Sequence, residues 1–177
     1  MTEGPVLRLF FALWPDPASR RALVRATRAA VRHSGGRPVA EDNLHLTLVF
    51  LGGVDAPGRG CCEAAADALR APAFTLTLDT LGHWPRARVL WAGCTQVPPP
   101  LAALAASLAA ALVPCGYRPE PRPFRPHVTL ARKVACWKGG ARADPVSWPV
   151  RELCLAASVT DPAGARYRVL RRWPLAG

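Results

Sequence analysis

The sequence predicts an α+β fold. It is bilobal, with two mainly antiparallel sheets related by a pseudo-twofold, helices on the outside and a central cleft. Three observations predict it. Two tetrads, His45-Leu46-Thr47-Leu48 and His127-Val128-Thr129-Leu130, each read as strand. Side chains alternate along a strand, so each tetrad carries His and Thr on one face and aliphatic residues on the other. The chain holds only 4 histidines, and two of them open such a tetrad. With threonine at ordinary abundance, two such coincidences are expected by accident on the order of 1–2 % of the time. Finally, the order strand, helix, tetrad occurs twice at nearly the same spacing: Leu9 to His45 is 36 positions and Leu90 to His127 is 37. That is a duplication of architecture, though hardly of sequence.

The elements follow in order. Residues 7–14 (LRLFFALW) are apolar enough for a central strand. Asp16 offers an N-cap with Pro17 at the first helical position, and the helix runs to about His33 before Gly35-Gly36. Leu23, Thr27, Ala30 and Val31 make its inward stripe; Arg21, Arg25, Arg28 and Arg32 form a basic ridge on another face. After a loop at 38–42, the first tetrad strand reaches Leu51 and closes at Gly52-Gly53. A short helix over about 60–70 leads to the alternating strand 74–81, a basic turn at 82–88 and a returning strand at 89–94. Pro98 to Pro100 introduce a helix with the stripe Leu101, Leu104, Ala105, Leu108 and Leu112, ending at Pro114 and Gly116. The second tetrad strand follows a proline-rich loop. Residues 136–146 read as a loop, and 153–159 with 165–170 as a terminal hairpin around Asp161-Pro162-Ala163-Gly164. The repeat assigns 1–55 plus 147–177 to a terminal lobe and 56–146 to a central lobe, with the tetrads facing each other across the cleft.

The formal net charge is +11, which favours polyanionic partners and speeds their encounter. The six cysteines, Cys61, Cys62, Cys94, Cys115, Cys136 and Cys154, show no C-x-x-C and no metal-ligand spacing. With no secretory signal in the first residues, free thiols in a reducing cytoplasm are the economical reading. The longest uncharged helical run, 101–113, is too short to cross a bilayer, so no membrane partner is expected.

Two imidazoles titrating near 6.5 can share acid and base roles near neutrality. In-line displacement at phosphorus needs a base on one side and an acid on the other, and a twofold arrangement supplies both. Threonine hydroxyls one strand step along can donate to non-bridging oxygens as charge builds there. Arg132 would add a guanidinium fork, although strict alternation puts it on the opposite face from Thr129. A two-histidine metal site would lack a third protein ligand, so no metal is expected. The non-enzymatic alternative, an RNA-binding module with a basic surface, accounts for the charge but not for the paired His-x-Thr. The tetrads are too symmetric for spacing to decide which histidine is the acid.

These tetrads, with LRLFFALWP, NLHLTLVFLG, VLWAG, FRPHVTLAR and GARYRVLRRWPL, resemble the RNA 2′,3′-cyclic phosphodiesterases, or 2′-5′ RNA ligases, of the 2H phosphoesterase superfamily. The resemblance covers nearly the whole chain. It implies hydrolysis of RNA 2′,3′-cyclic phosphate ends to 2′-phosphomonoesters, with reversible 2′-5′ ligation in some members and no metal or nucleotide cofactor. It implies His45 as proton donor, His127 as proton acceptor, and Thr47, Thr129 and Arg132 as phosphate-binding residues. Phe10, Phe50, Phe124 and Trp84 are candidates for base stacking. His33 and His83 are read as non-catalytic. A monomer in the cytoplasm acting on RNA is expected; the alternative within the superfamily is a small-molecule cyclic nucleotide or ADP-ribose cyclic phosphodiesterase.

Overall fold

A computed structural model describes residues 6–161 and 164–177. Its strands are β1 Leu7–Leu13, β2 Arg37–Pro38, β3 Leu46–Val54, β4 Phe74–Trp84, β5 Val89–Gly93, β6 His127–Arg132, β7 Arg142–Val150, β8 Glu152–Asp161 and β9 Gly164–Pro174. Its helices are α1 Pro17–His33, α2 Ala56–Ala68 and α3 Pro99–Leu112. The strands run in the order β7-β4-β5-β6-β3-β1-β8-β9, with β2 beside β6, and these pairings are all antiparallel.

That order is a palindrome of roles. β6 and β3 meet at the centre, flanked by β5 and β1, then β4 and β8, then β7 and β9. β3 and β6 are joined through the pair Leu46–Val128. The two halves join into one open sheet, and the pseudo-twofold passes between these two residues.

Asp16 caps α1, its Oδ1 accepting from the backbone N–H of Ala18 at 2.8 Å and of Ser19 at 3.0 Å. Ser19, Leu23, Thr27 and Ala30 are buried, while Val31 is only partly so. This face packs on β7 and β6, so the helix that leaves the terminal half covers the central one. α3 packs on α2 and β3 with all five expected residues, Leu101, Leu104, Ala105, Leu108 and Leu112, buried. The main core lies between the helices and one face of the sheet. The other face carries a small separate cluster of Phe10, Ala12 and Ala156 with Trp14 and Tyr167.

Several sequence expectations are corrected. The loop expected at 136–146 contains the start of β7, which pairs with β4 through Phe74–Val150, Leu76–Trp148 and Leu78–Val146. Its two prolines hid it; β7 is an edge strand, where a residue without an N–H is tolerated. β4 continues past Leu81, since Gly82, His83 and Trp84 pair with Trp91, Leu90 and Val89. Trp84 thus sits on a strand and not in the turn. α2 starts at Ala56, capped by Asp55, whose Oδ1 accepts from the Gly58 N–H at 2.8 Å. The expectation of free thiols fails at Cys61 and Cys115, which form a disulfide. The packing of α2 on α3 brings these residues, 54 apart in sequence, together. Cys62, Cys94, Cys136 and Cys154 are free. Pro162 and Ala163 of the expected terminal turn lie outside the described residues. Among the described residues, no helix is long and apolar enough to cross a membrane.

Candidate active site

Antiparallel pairing of Leu46 with Val128 fixes what surrounds it. One step either way, His45 lies across from Thr129 and Thr47 across from His127. The histidines are therefore diagonal neighbours, a relation that spans roughly 7–8 Å between backbones.

Both rings are oriented by the same device. The Nδ1–H of His45 donates to the Asn43 carbonyl at 2.7 Å, and that of His127 to the Arg125 carbonyl at 2.8 Å. A carbonyl only accepts, so each ring keeps its proton on Nδ1 and turns Nε2 toward the cleft. In the terminal half, Thr47 Oγ1 lies 3.1 Å from His45 Nε2 and donates to it.

The tetrads also share a bulge. Ala12 pairs with Thr47 and Phe11 with Val49, leaving Leu48 extra; Trp91 pairs with Thr129 and Leu90 with Ala131, leaving Leu130 extra. An added residue reverses the alternation beyond it. Arg132 therefore pairs with Val89, on the face of β5 that Trp91 shares, and joins His127 and Thr129 on the cleft side. The objection from strict alternation is removed. In the other half the matching position is Phe50, opposite Phe10, with the guanidinium carbon of Arg8 5.5 Å from its ring centroid. The two ends thus differ: Arg132 stands at one, and at the other an exposed Phe50 carries the Arg8 guanidinium over its ring.

The histidines differ in their surroundings. His45 is boxed by Phe10, Trp14 and Tyr167, with ring centroids at 5.1, 4.9 and 4.8 Å, Trp14 being stacked. Burial pushes its pKa down to about 4, opposed by the Asn43 hydrogen bond and reinforced by the charges of Arg132 and His127. His127 touches Trp84 edge-on at 4.5 Å. Its pKa is also lowered, first by burial and then by Arg132, against the Arg125 hydrogen bond. Arg132 is thus close enough to act on both rings.

Of the residues singled out from sequence, His45, Thr47, His127, Thr129, Arg132, Phe10, Phe50 and Trp84 share this face. Phe124 lies in the loop before β6, exposed, and has no ring contact with either histidine. His83 is half-buried, 3.3 Å from the Val134 carbonyl, and His33 is exposed at the end of α1. Trp14, Tyr167 and Trp91 were missed. Trp14 could have been found, because it continues the alternation of Phe10 and Ala12. Among the described residues, no group of three or more His, Cys, Asp or Glu is poised to hold a metal.

A sheet of two antiparallel halves, with one His-x-Thr from each meeting at the centre, defines a bilobal two-histidine cleft protein. The family model described as the 2′-5′ RNA ligase superfamily matches residues 14–162, and the chain belongs to that superfamily. The chain is 39% identical over 172 residues to an RNA 2′,3′-cyclic phosphodiesterase of Escherichia coli, covering 95% of this chain and 96% of the relative. It is 33% identical over 189 residues to one of Thermus thermophilus, covering 97% and 91%. Among solved structures, E. coli LigT complexed with 3′-AMP superposes with a TM-score of 0.89 at 38% identity, covering 97% of this chain and 99% of that one.

Proposed function

We propose that this protein hydrolyses RNA 2′,3′-cyclic phosphate ends to 2′-phosphomonoesters by paired histidine acid–base catalysis. The observation that supports the reading is the Leu46–Val128 register together with the matching Nδ1 hydrogen bonds to the Asn43 and Arg125 carbonyls, which orient the two imidazoles alike. The curated relatives named above support the choice of substrate.

His127 Nε2 takes a proton from water as the water oxygen attacks phosphorus. The P–O3′ bond breaks in line, and His45 Nε2 delivers a proton to O3′. Thr47, Thr129 and Arg132 donate to the non-bridging oxygens, where negative charge grows. Both imidazoles are depressed in the free protein, so the acid must be recharged on binding. The phosphodiester anion does this, since a negative charge beside an imidazole favours its protonated form. Phe50, exposed, stacks on the base of the terminal nucleotide, whereas Phe10, expected from sequence to stack as well, is buried against His45, Trp14 and Tyr167 and backs the imidazole instead.

A polymer fits better than a free nucleotide. The net charge of +11 favours a polyanion, and a cavity of about 580 Å³ beside Trp14, lined by Arg151 and by Arg20 and Arg172 in ion pairs with Asp42 and Glu152, would take the preceding nucleotides. The chain acts as one bilobal monomer, and the lobe boundary expected between 146 and 147 moves past Val150, because residues 147–150 pair with β4 of the central half. It needs no cofactor, and its RNA substrate implies the cytoplasm.

The test is incubation, with EDTA present, of an RNA ending in 2′,3′-cyclic phosphate, followed by end-group analysis. A 2′-phosphate is expected. A 3′-phosphate, or no product, would overturn the reading.

A further inference from the structure

We propose that Trp84, seated on Trp91, is the platform for the base of an incoming 5′-hydroxyl nucleoside, the acceptor to which the cyclic phosphate is passed in place of water. This assignment rests on the acid–base division proposed above. In-line attack brings the nucleophile to the side of His127. That side is the open one. Three rings enclose His45, whereas among the described residues His127 has an aromatic contact with Trp84 alone. An alcohol larger than water can be admitted there.

Trp84 is partly exposed on β4, and its indole lies 5.2 Å from that of Trp91, tilted by 37°. Trp91 can lie flat on the sheet because two residues beside it lack a side chain. A Cβ on Gly82, its cross-strand partner, would stand 2.0 Å from the indole, and one on Gly93 would stand 2.8 Å from it. The Trp91 indole N–H is buried with no protein acceptor among the described residues. A buried donor left unpaired opposes folding and asks for another reason to be there. The aromatic surface that the pair presents next to His127 supplies that reason. Beyond Trp84 the chain turns through Arg86 and Arg88, both exposed, where the next phosphate of the acceptor would run.

The chemistry balances without a further reactant. The acceptor O5′ forms the bond to phosphorus, its proton passes to His127, the P–O3′ bond breaks, and O3′ receives the proton of His45. The product is a 2′-5′ diester, and the same steps reversed cleave it.

The experiment measures partition. A short RNA with a 2′,3′-cyclic phosphate is turned over with increasing adenosine as the 5′-hydroxyl acceptor, and the ratio of 2′-5′ diester to 2′-phosphate is recorded. In the natural protein the ratio should saturate with adenosine. Trp84→Ala should weaken that saturation on the order of 10- to 100-fold, the scale of one lost base stack, while Trp84→Phe should restore part of it. An abasic ribose acceptor should give a low, unsaturated ratio with the natural protein, a comparison that needs no variant. Equal ratios for adenosine and abasic ribose, an unchanged ratio in Trp84→Ala, or no diester at all would overturn the assignment. If acceptor-free controls still yield 2′-phosphate, only this inference falls. If they yield none, the proposed hydrolysis falls with it.

Discussion

Leu46 and Val128 face each other across the middle of the sheet, and their pairing is the seam through which the two halves join. Because the pairing is antiparallel, a residue one step before Leu46 and a residue one step before Val128 end up diagonal. Those residues are His45 and His127. The site is thus a consequence of register: shifting the seam by one residue would put the two rings on opposite faces of the sheet.

Removing either imidazole should remove one half of a proton relay. His45→Ala and His127→Ala are each expected to lower kcat by about 10²–10⁴. The double variant should be little worse than the worse single one, because groups that act as a unit are not additive. Single-turnover rates on a cyclic-phosphate RNA check this.

Thr47→Ala and Thr129→Ala should each cost roughly 10²–10³ in kcat, the scale of one lost oxyanion donor. Thr47 also donates to His45 Nε2 in the free protein, so its loss should alter the pH profile, whereas loss of Thr129 should mainly alter the rate.

The free-protein pKa values, about 4 for His45 and lowered from 6.5 for His127, place the optimum of kcat/KM below pH 6.5. A bound phosphodiester anion raises both values. Both limbs of the kcat profile should therefore lie at higher pH than those of kcat/KM. Coincident profiles would show that the substrate anion does not recharge the pair.

Stability should carry the same signature. The folded state holds His45 near 4 against 6.5 when unfolded, so the neutral ring is the one that folding accommodates. Its contribution is present in full above pH 6.5 and is lost as pH falls from 6.5 through 4, on the order of 3 kcal/mol in all. Urea titrations should show that slope in the natural protein and a shallower one in His45→Gln.

Gly82→Ala should evict the Trp91 indole, since the new Cβ would stand 2.0 Å from it. Trp84 loses its support and His127 its neighbour. A changed tryptophan emission with a reduced kcat is expected; an unchanged spectrum would mean that Trp91 does not lie as described.

Much of this was legible in the chain. Period-two alternation put His and Thr of each tetrad on one face, and the near-equal strand–helix–tetrad spacings foretold the twofold. What escaped depends on contacts between distant strands. No local signal marks Leu48 and Leu130 as bulged, so Arg132 looked misdirected until the register with β5 was known. β7 was masked by prolines that only an edge position permits, and the Cys61–Cys115 bridge follows from how α2 meets α3. Tyr167 reaches His45 from β9, which sequence places at the far end of the chain.

The division of labour between the rings can be read directly with a substrate whose bridging 3′ oxygen is replaced by sulfur. A thiolate leaves without being protonated, so it relieves the need for the acid but not for the base. Hydrolysis of this substrate should be restored in His45→Ala to within about tenfold of the natural protein, and should stay defective in His127→Ala. Rescue of His127→Ala instead, or of neither variant, would mean that these two histidines do not exchange protons across a single phosphorus in the way described.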